Sequence, residues 1–421
     1  MSKVYALVDC NSFFVSCERL FRPELINTPV GVLSNNDGCF ISLSRELKSL
    51  GVPMGTPYFK VRTICKKNKV TVFSSNFALY SNLSNRVMKT LAQFTPRMEI
   101  YSIDEAFLDL TGFKDIHCYA KFIKKKVEKD TGIPVSIGVS TSKTLAKLAN
   151  NMAKKTKRTN GVVVLLDQQS QDVALHNTPI GKVWGVGRAL DVDMQLMGLY
   201  TAKDLRDYKN SAHIKKKYTK VGLQIKEELQ GHERFTLEQT VKPKKSIMCS
   251  RSFGSSVYRL EDLRKAVANY MSSAFETLRK QNSTCGEIGV FIRTSRHKKG
   301  HIYRGSNHIK LLSPTSDSRK AVGYGFEILN RIYKKGYEYK KAGVYLGKLQ
   351  QEGNKQLSLF ENYDNERSLK LMKTIDVINH REGKGAIKLA ACGIDNKSWA
   401  MNRNFLSPRY VSGWSQLLKV K

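Results

Sequence analysis

The chain has 421 residues, long enough for two or more separately cored domains, and its 41% hydrophobic and 25% charged residues exclude a wholly disordered chain. Its 71 Lys and Arg stand against 36 Asp and Glu, a formal net charge of +35. Self-repulsion at that level is costly unless a polyanion binds, and nucleic acid is the leading candidate. Eight scattered cysteines with no CxxC pair argue against a zinc ribbon or a disulfide framework, and for a reducing compartment. The first apolar run meets a carboxylate at Asp9, unlike a signal peptide, and no apolar run reaches the ~18 residues of a membrane span. The expectation is a cytoplasmic protein with no membrane partner.

Val4–Val8 is short and apolar and reads as a buried strand ending at Asp9, with a helix over Asn11–Leu20. Thr28–Leu33 reads as a strand, Ser34–Gly38 as a turn, and Ser42–Leu50 as a helix that stops at Gly51 before Pro53. Ile100–Ile103 and Ala106–Leu110 read as strands with Asp104 and Glu105 between them. A helix over Ile116–Lys129 and a strand over Pro134–Ser140 complete a split βαβ order. Ser142–Lys155 reads as an amphipathic helix. Leu145, Leu148, Ala149 and Met152 form its apolar face, and Lys143, Lys147 and Lys154 fall opposite, where they read as solvated.

Residues 167–240 read as a small glycine-punctuated helical region, and 241–245 as a linker. The β-α-β-β-α-β order then recurs up to residue 349. Residues 241–350 hold 23 Lys and Arg against 7 Asp and Glu, whereas residues 1–110 hold 13 against 9. A catalytic region followed by a polyanion-gripping region has this distribution. Beyond 350 the chain reads as a polar tail with one apolar insert, Gln356-Leu357-Ser-Leu359-Phe360. Such an insert docks into a partner's pocket or packs back on its own domain.

The strongest chemical signal is Ser102-Ile-Asp104-Glu105-Ala-Phe107, two carboxylates interrupting an apolar stretch. Buried carboxylates are expensive unless paired or holding a metal. In a split βαβ sheet the first strand lies beside the central hairpin, so Asp9, Asp104 and Glu105 are expected to converge. Three carboxylates with no histidine suit Mg²⁺ or Mn²⁺, and a pair of such ions serves phosphoryl transfer. Two exposed hairpin-tip acids are the bland alternative. Arg45 and Lys48 are either surface charge or cations for a nucleoside triphosphate. Phe13 and Phe14 are each either core packing, the preferred reading for Phe13, or a rigid ring close to the metals that would exclude a 2′-hydroxyl. Ile180–Gly187 looks like half of a helix-hairpin-helix, with Gly185 and Gly187 offering N–H groups to a DNA phosphate.

These segments, in this order, resemble the Y-family DNA polymerases, and within them the UmuC type. The resemblance is carried by Val8-Asp-Cys-Asn-Ser-Phe-Phe14, Val32-Leu-Ser-Asn-Asn-Asp-Gly-Cys39, Phe73-Ser-Ser-Asn76, Tyr101-Ser-Ile-Asp-Glu-Ala-Phe107, Lys143–Asn150, Val183-Trp-Gly-Val-Gly187, Cys249-Ser-Arg-Ser-Phe-Gly254 and Leu406-Ser-Pro-Arg-Tyr410. It implies an α+β multidomain right hand. The palm, a βαββαβ unit, would be 1–30 with 75–166, small fingers 31–74, a helical thumb 167–240, and a βαββαβ little finger 241–350. A tail, 351–421, would carry a clamp-binding motif and a partner-binding region.

The resemblance further implies two Mg²⁺ ions, replaceable by Mn²⁺, held by Asp9, Asp104, Glu105 and the backbone carbonyl of Cys10. Phe14 would be the steric gate, with Phe13 beside it at the nucleotide. Arg45, Lys48 and Lys154 would contact the triphosphate, although the family often has Tyr where this chain has Arg45. Gly185, Gly187 and Arg251 would touch DNA, and Gln356, Leu357, Leu359 and Phe360 a sliding clamp. The implied activity is error-prone, template-directed translesion synthesis in the SOS response. The implied partners are primer-template DNA, dNTP, the clamp, a processed UmuD dimer and the RecA nucleoprotein filament. The competing readings are an inactive damage-binding scaffold and a nucleotidyl cyclase-like enzyme. The three carboxylates weigh against the first, and the basic second half against the second.

Overall fold

Tyr5–Cys10 is a strand buried on both faces, as its unbroken apolar run requires. The computed structural model describes residues 3–240, 242–295, 302–352, 366–393, 399–411, 413, 416 and 417. The chain divides into two compact units: Met1–Ser34 with Gly38–Val241 and Phe405–Lys421, and Asn35–Asp37 with Lys242–Asn404.

In the first unit a five-stranded sheet runs in the order Met98–Ile100, Glu105–Asp109, Tyr5–Cys10, Val135–Ser140, Val162–Leu165. The central strand is antiparallel to both neighbours, and the last two strands are parallel. Strand alternation sends Ala6 and Val8 into the larger core, with the helices Phe77–Leu91 and Ile116–Thr131. Tyr5, Leu7 and Phe107 line the other face and meet Ala146 of the helix Lys143–Lys155.

That helix is covered on both sides, which corrects the reading of a solvated lysine face. Its apolar face packs on the helices Gln168–His176, Arg188–Leu196, Ala202–Asp207 and Ser211–Leu229. Its lysines face the sheet, and Lys143 is buried against Glu99. The approach is close because Gly138 lies beneath it. A Cβ there would sit 2.0 Å from the Asn150 nitrogen and 2.4 Å from the Ala146 oxygen, both helix backbone atoms that cannot yield alone. Gly138→Ala is therefore expected to destabilise this unit by about 3 kcal/mol, the upper range for overpacking. A lowered urea midpoint checks this, and an unchanged midpoint contradicts the close approach.

A smaller sheet orders Phe40–Leu43, Val30–Leu33 and Thr71–Ser74. Because Phe40–Leu43 pairs as a strand, the helix expected over 42–50 shortens to Arg45–Ser49. Ser44 starts it by accepting the Leu47 N–H at 3.2 Å.

The second unit holds a four-stranded sheet ordered Arg304–Thr315, Ser283–Thr294, Tyr339–Gln351, Ile247–Val257, every pair antiparallel. The helices Leu260–Lys280 and Ser318–Ile332 pack on it and enclose a separate core. The chain order matches that of the first sheet but the spatial order does not, since here the second and fourth strands are central. The stretch beyond 350 is not all polar tail. Glu366–Arg381 is a helix, joined to Arg279 of Leu260–Lys280 by a two-pronged bond to Asp376 at 2.6 and 2.8 Å. No helix among the described residues is long and apolar enough to cross a membrane.

Candidate active site

Asp9, one residue before the end of the central strand, lies directly opposite Glu105 on the neighbouring strand. Alternation puts both on the face carrying Tyr5, Leu7 and Phe107, beneath the lysine row. Lys154 pairs with Asp9, and Lys147 Nζ donates to Glu105 at 2.7 Å. Lys147 also lies 4.8 Å from the Tyr101 ring centre. Burial pushes the Asp9 carboxyl up to about 7, with Lys154 opposing and Glu105 adding to the rise. Burial also raises Glu105, but hydrogen bonds from Lys147 and Asp9 and the charges of Lys147 and Lys154 together outweigh it and leave that carboxyl below its usual range. The turn before Glu105 is fixed by Ser102. Its Oγ accepts the N–H groups of Asp104 and Glu105 at 3.2 and 3.0 Å and donates to Asp104 Oδ1 at 2.6 Å. The Cys10 N–H donates to the Asp104 carbonyl at 2.9 Å, which stitches the hairpin to the strand.

Asp9 and Glu105 thus meet, while Asp104 turns its carboxylate onto Ser102. Among the described residues no three His, Cys, Asp or Glu side chains close on one point. The donor chemistry nonetheless fits a hard divalent cation. The groups are carboxylates, and the buried Cys10 thiol, raised well above its ordinary range by burial, offers no thiolate and leaves only its backbone oxygen. The Lys147 and Lys154 ammonium groups stand on the carboxylates and supply the positive charge that such a cation would bring. Lys154, one-third exposed, has room to withdraw.

Arg45 and Lys48 lie three residues apart on the Arg45–Ser49 helix, which buried Leu47 anchors. Both are exposed. Phe13 is core, at 3% exposure. Phe14 is half-buried, stacked on Tyr80 with ring centres 4.7 Å apart and planes 22° apart. The edge of Phe77 meets it at 6.0 Å.

Glu18, on the same helix as Phe14, is fully buried and accepts the Tyr80 hydroxyl at 2.7 Å. Among the described residues its Oε2 has no hydrogen-bond partner. Burial pushes its carboxyl from 4.5 up to about 7, with Tyr80, Ser407 and Arg22 opposing. The native state therefore keeps a proton that the unfolded chain releases in this window. Stability is expected to fall as pH rises from about 4.5 to about 7, by about 1.4 kcal/mol per pH unit at the steepest. Urea unfolding across that interval checks it. Glu18→Gln flattens this component, and an equal slope in the variant contradicts the assignment.

Gly185 has φ +92°, a left-handed conformation that favours glycine, and a Cβ there would approach Ile225 at 2.7 Å. Gly187 begins the Arg188–Leu196 helix with open space at its Cα. Arg251, in the second unit, is exposed on the strand Ile247–Val257, opposite Ala342. Gln356, Leu357, Leu359 and Phe360 lie outside the described residues.

Sequence reasoning missed Glu99, Lys147 as the partner of Glu105, Tyr80 and Glu18. The available signal was a lone acid, Glu18, four residues after Phe14 on a helix whose other buried residues include Phe13, Val15 and Cys17.

The fold is that of the Y-family DNA polymerases. A Dbh–Dpo4 chimera of that family superposes with a TM-score of 0.64 at 22% identity, covering 83% of this chain and 99% of the other. The insertion ternary complex of Dbh DNA polymerase gives 0.55 at 22% identity, covering 83% and 99%. Residues 8–151 match the impB/mucB/samB family, 244–359 its C-terminal domain, and 369–420 a domain of unknown function, DUF4113. The protein UmuC of Salmonella typhimurium is 43% identical over 99% of this chain and its own full length. SamB of Salmonella typhimurium is 40% identical over the same shares. DNA polymerase IV of Clostridium acetobutylicum is 27% identical over 92% of this chain and 97% of its own. The chain belongs to the impB/mucB/samB family, the UmuC type of Y-family DNA polymerase.

Proposed function

We propose that this polymerase extends primers across damaged template bases in the SOS response, with nucleotidyl transfer centred on Asp9, Asp104 and Glu105. The observation that carries the reading is the pair of buried Asp9 and half-buried Glu105, facing each other across adjacent strands under a row of lysines. Asp9, Asp104, Glu105 and the backbone carbonyl of Cys10 would hold two Mg²⁺ ions. Bound there, such ions activate an attacking oxygen and stabilise a leaving one.

The chain's own groups do the rest. Lys154 gives up Asp9 and turns to the incoming triphosphate. Arg45 and Lys48, exposed and on one short helix, neutralise phosphate charge left over. The Phe14 ring refuses a 2′-hydroxyl. Gly185, Gly187, Arg251 and the basic second unit grip phosphates, where charge gives affinity without sequence preference. The palm would be 1–30 with 75–166, the fingers 31–74, the thumb 167–240 and the little finger 241–350. Gln356–Phe360 serves as the clamp-binding segment. A processed UmuD dimer and a RecA filament as partners, and a cytoplasmic location, rest on the family resemblance.

Primer extension by the full chain with Mg²⁺ tests this, on an undamaged template and on one with an abasic site, with the partners added in separate lanes. Template-directed extension through the abasic site is the expected result. DNA binding with no extension under any of these conditions would overturn it in favour of a scaffold.

A further inference from the structure

The segment Leu406-Ser-Pro-Arg-Tyr410 lies in the region matched to a domain of unknown function, and the polymerase reading gives it no task. In the structure it lies against the elements that carry Phe14. The Ser74 N–H donates to the Phe405 carbonyl at 2.9 Å, and the Phe405 N–H returns a bond to Ser74 Oγ at 3.0 Å. Tyr410 stacks on Phe21, with ring centres 4.6 Å apart and planes 8° apart. Between these two anchors, buried Ser407 donates to Glu18 Oε1 at 3.1 Å and accepts from Asn76 Nδ2 at 3.0 Å.

Both bonds lead to the rings around Phe14. Glu18 Oε1 is also the acceptor of the Tyr80 hydroxyl, and Tyr80 is the ring on which Phe14 stacks. Asn76 caps the helix Phe77–Leu91 by accepting the Leu79 N–H at 3.3 Å, and that helix carries both Tyr80 and Phe77. Phe14 has no polar atom of its own to fix its plane, so the rings packed on it fix it: Tyr80, Phe77 and core Phe13, whose centre lies 5.7 Å away. The chain of donors is complete in one sense only: Asn76 to Ser407, Ser407 to Glu18, with Tyr80 donating to the same oxygen. A fully buried carboxyl with one oxygen unpartnered among the described residues is a costly group, and among those residues its bonded oxygen takes the C-terminal segment and Tyr80.

We propose that Ser407 and Glu18 are positioning residues for the ring that discriminates the sugar, so that the C-terminal segment sets how strictly the site refuses a ribonucleotide. This rests on Phe14 being the steric gate. Without the Ser407 hydroxyl, Glu18 Oε1 loses one of its two donors and the Asn76 amide is left on the Ser407 and Pro408 carbonyls, so the acceptor that holds Tyr80 is less firmly placed and Phe14 yields to a 2′-hydroxyl. A segment that merely held the fold together would change stability and leave the sugar ratio alone.

The test is single-nucleotide insertion by the full chain on a primer-template, with kcat/KM measured for matched dNTP and rNTP. Ser407→Ala is expected to lower the dNTP preference roughly fivefold, the factor one neutral hydrogen bond is worth. Glu18→Gln, which keeps the acceptor oxygen, holds the preference of the unsubstituted chain, and Phe14→Ala loses it more steeply than either. An unchanged preference in Ser407→Ala, with Phe14→Ala relaxed, overturns the brace and spares the gate. An unchanged preference in Phe14→Ala overturns the gate reading itself, and the brace with it. A second readout needs no turnover: a para-fluorine placed on the Phe14 ring is expected to shift or broaden its resonance in Ser407→Ala, and an identical resonance overturns the brace.

Discussion

Asp104→Ala is expected to slow nucleotide addition by about a thousandfold, the upper range for removing one preorganised electrostatic group, while leaving the urea midpoint almost unmoved. The two halves of this expectation come from the same geometry. Asp104 is half-buried in a hairpin turn, and its carboxylate takes the hydroxyl of Ser102. The turn itself is held by backbone groups, the Asp104 carbonyl on Cys10 and the Ser102 hydroxyl on two N–H groups, none of which the substitution removes. Losing one half-exposed hydrogen bond costs about 1 kcal/mol. The variant is thus expected to keep the fold and lose the reaction. Steady-state insertion rates and urea unfolding on one preparation separate the two, and a variant within tenfold of the original rate would remove Asp104 from the site.

Lys143→Met is expected to have the opposite profile, a loss of about 3 kcal/mol in stability. Lys143 and Glu99 are both buried, joined at 2.7 Å, and Lys143 Nζ lies 4.7 Å from the Phe107 ring centre. Deleting one member of a buried pair leaves the other as an uncompensated charge, at a cost of about 3–5 kcal/mol. The low end applies because Glu99 keeps the Glu238 N–H at 2.7 Å. Glu99→Gln in the same chain removes the orphaned charge and is expected to restore part of the loss, a coupling that urea unfolding of the single and double variants measures. A Lys143→Met chain as stable as the original would show that the pair contributes nothing.

The same lysine marks the limit of what the sequence disclosed. The split βαβ order was legible because short apolar runs ending in carboxylates have few alternatives as buried strands. Asp9 and Glu105 were legible for the same reason, since strand register follows from which face is buried. The orientation of Lys143, Lys147 and Lys154 was not. Helical periodicity divides a helix into two faces but does not say that both are covered, and a lysine row is solvated unless acids elsewhere in the chain come to meet it. Here Glu99 comes from the edge strand of the sheet, Glu105 from the strand next to it and Asp9 from the central strand. The Phe77–Leu91 helix received no assignment at all, yet it positions two of the rings around Phe14, Phe77 and Tyr80. Ser407 is far from Glu18 in sequence, and only the folded chain makes them neighbours.

Uptake of Mn²⁺ tests the central claim most directly, that the Asp9–Glu105 end of the sheet holds the metals of nucleotidyl transfer. The full chain would be titrated with Mn²⁺ in the presence of dNTP and a primer-template lacking a 3′-hydroxyl, following loss of the free-ion electron paramagnetic resonance signal. The original chain is expected to take up more Mn²⁺ than one carrying Asp9→Asn and Glu105→Gln, with both chains folded. Equal uptake by the two chains would contradict it.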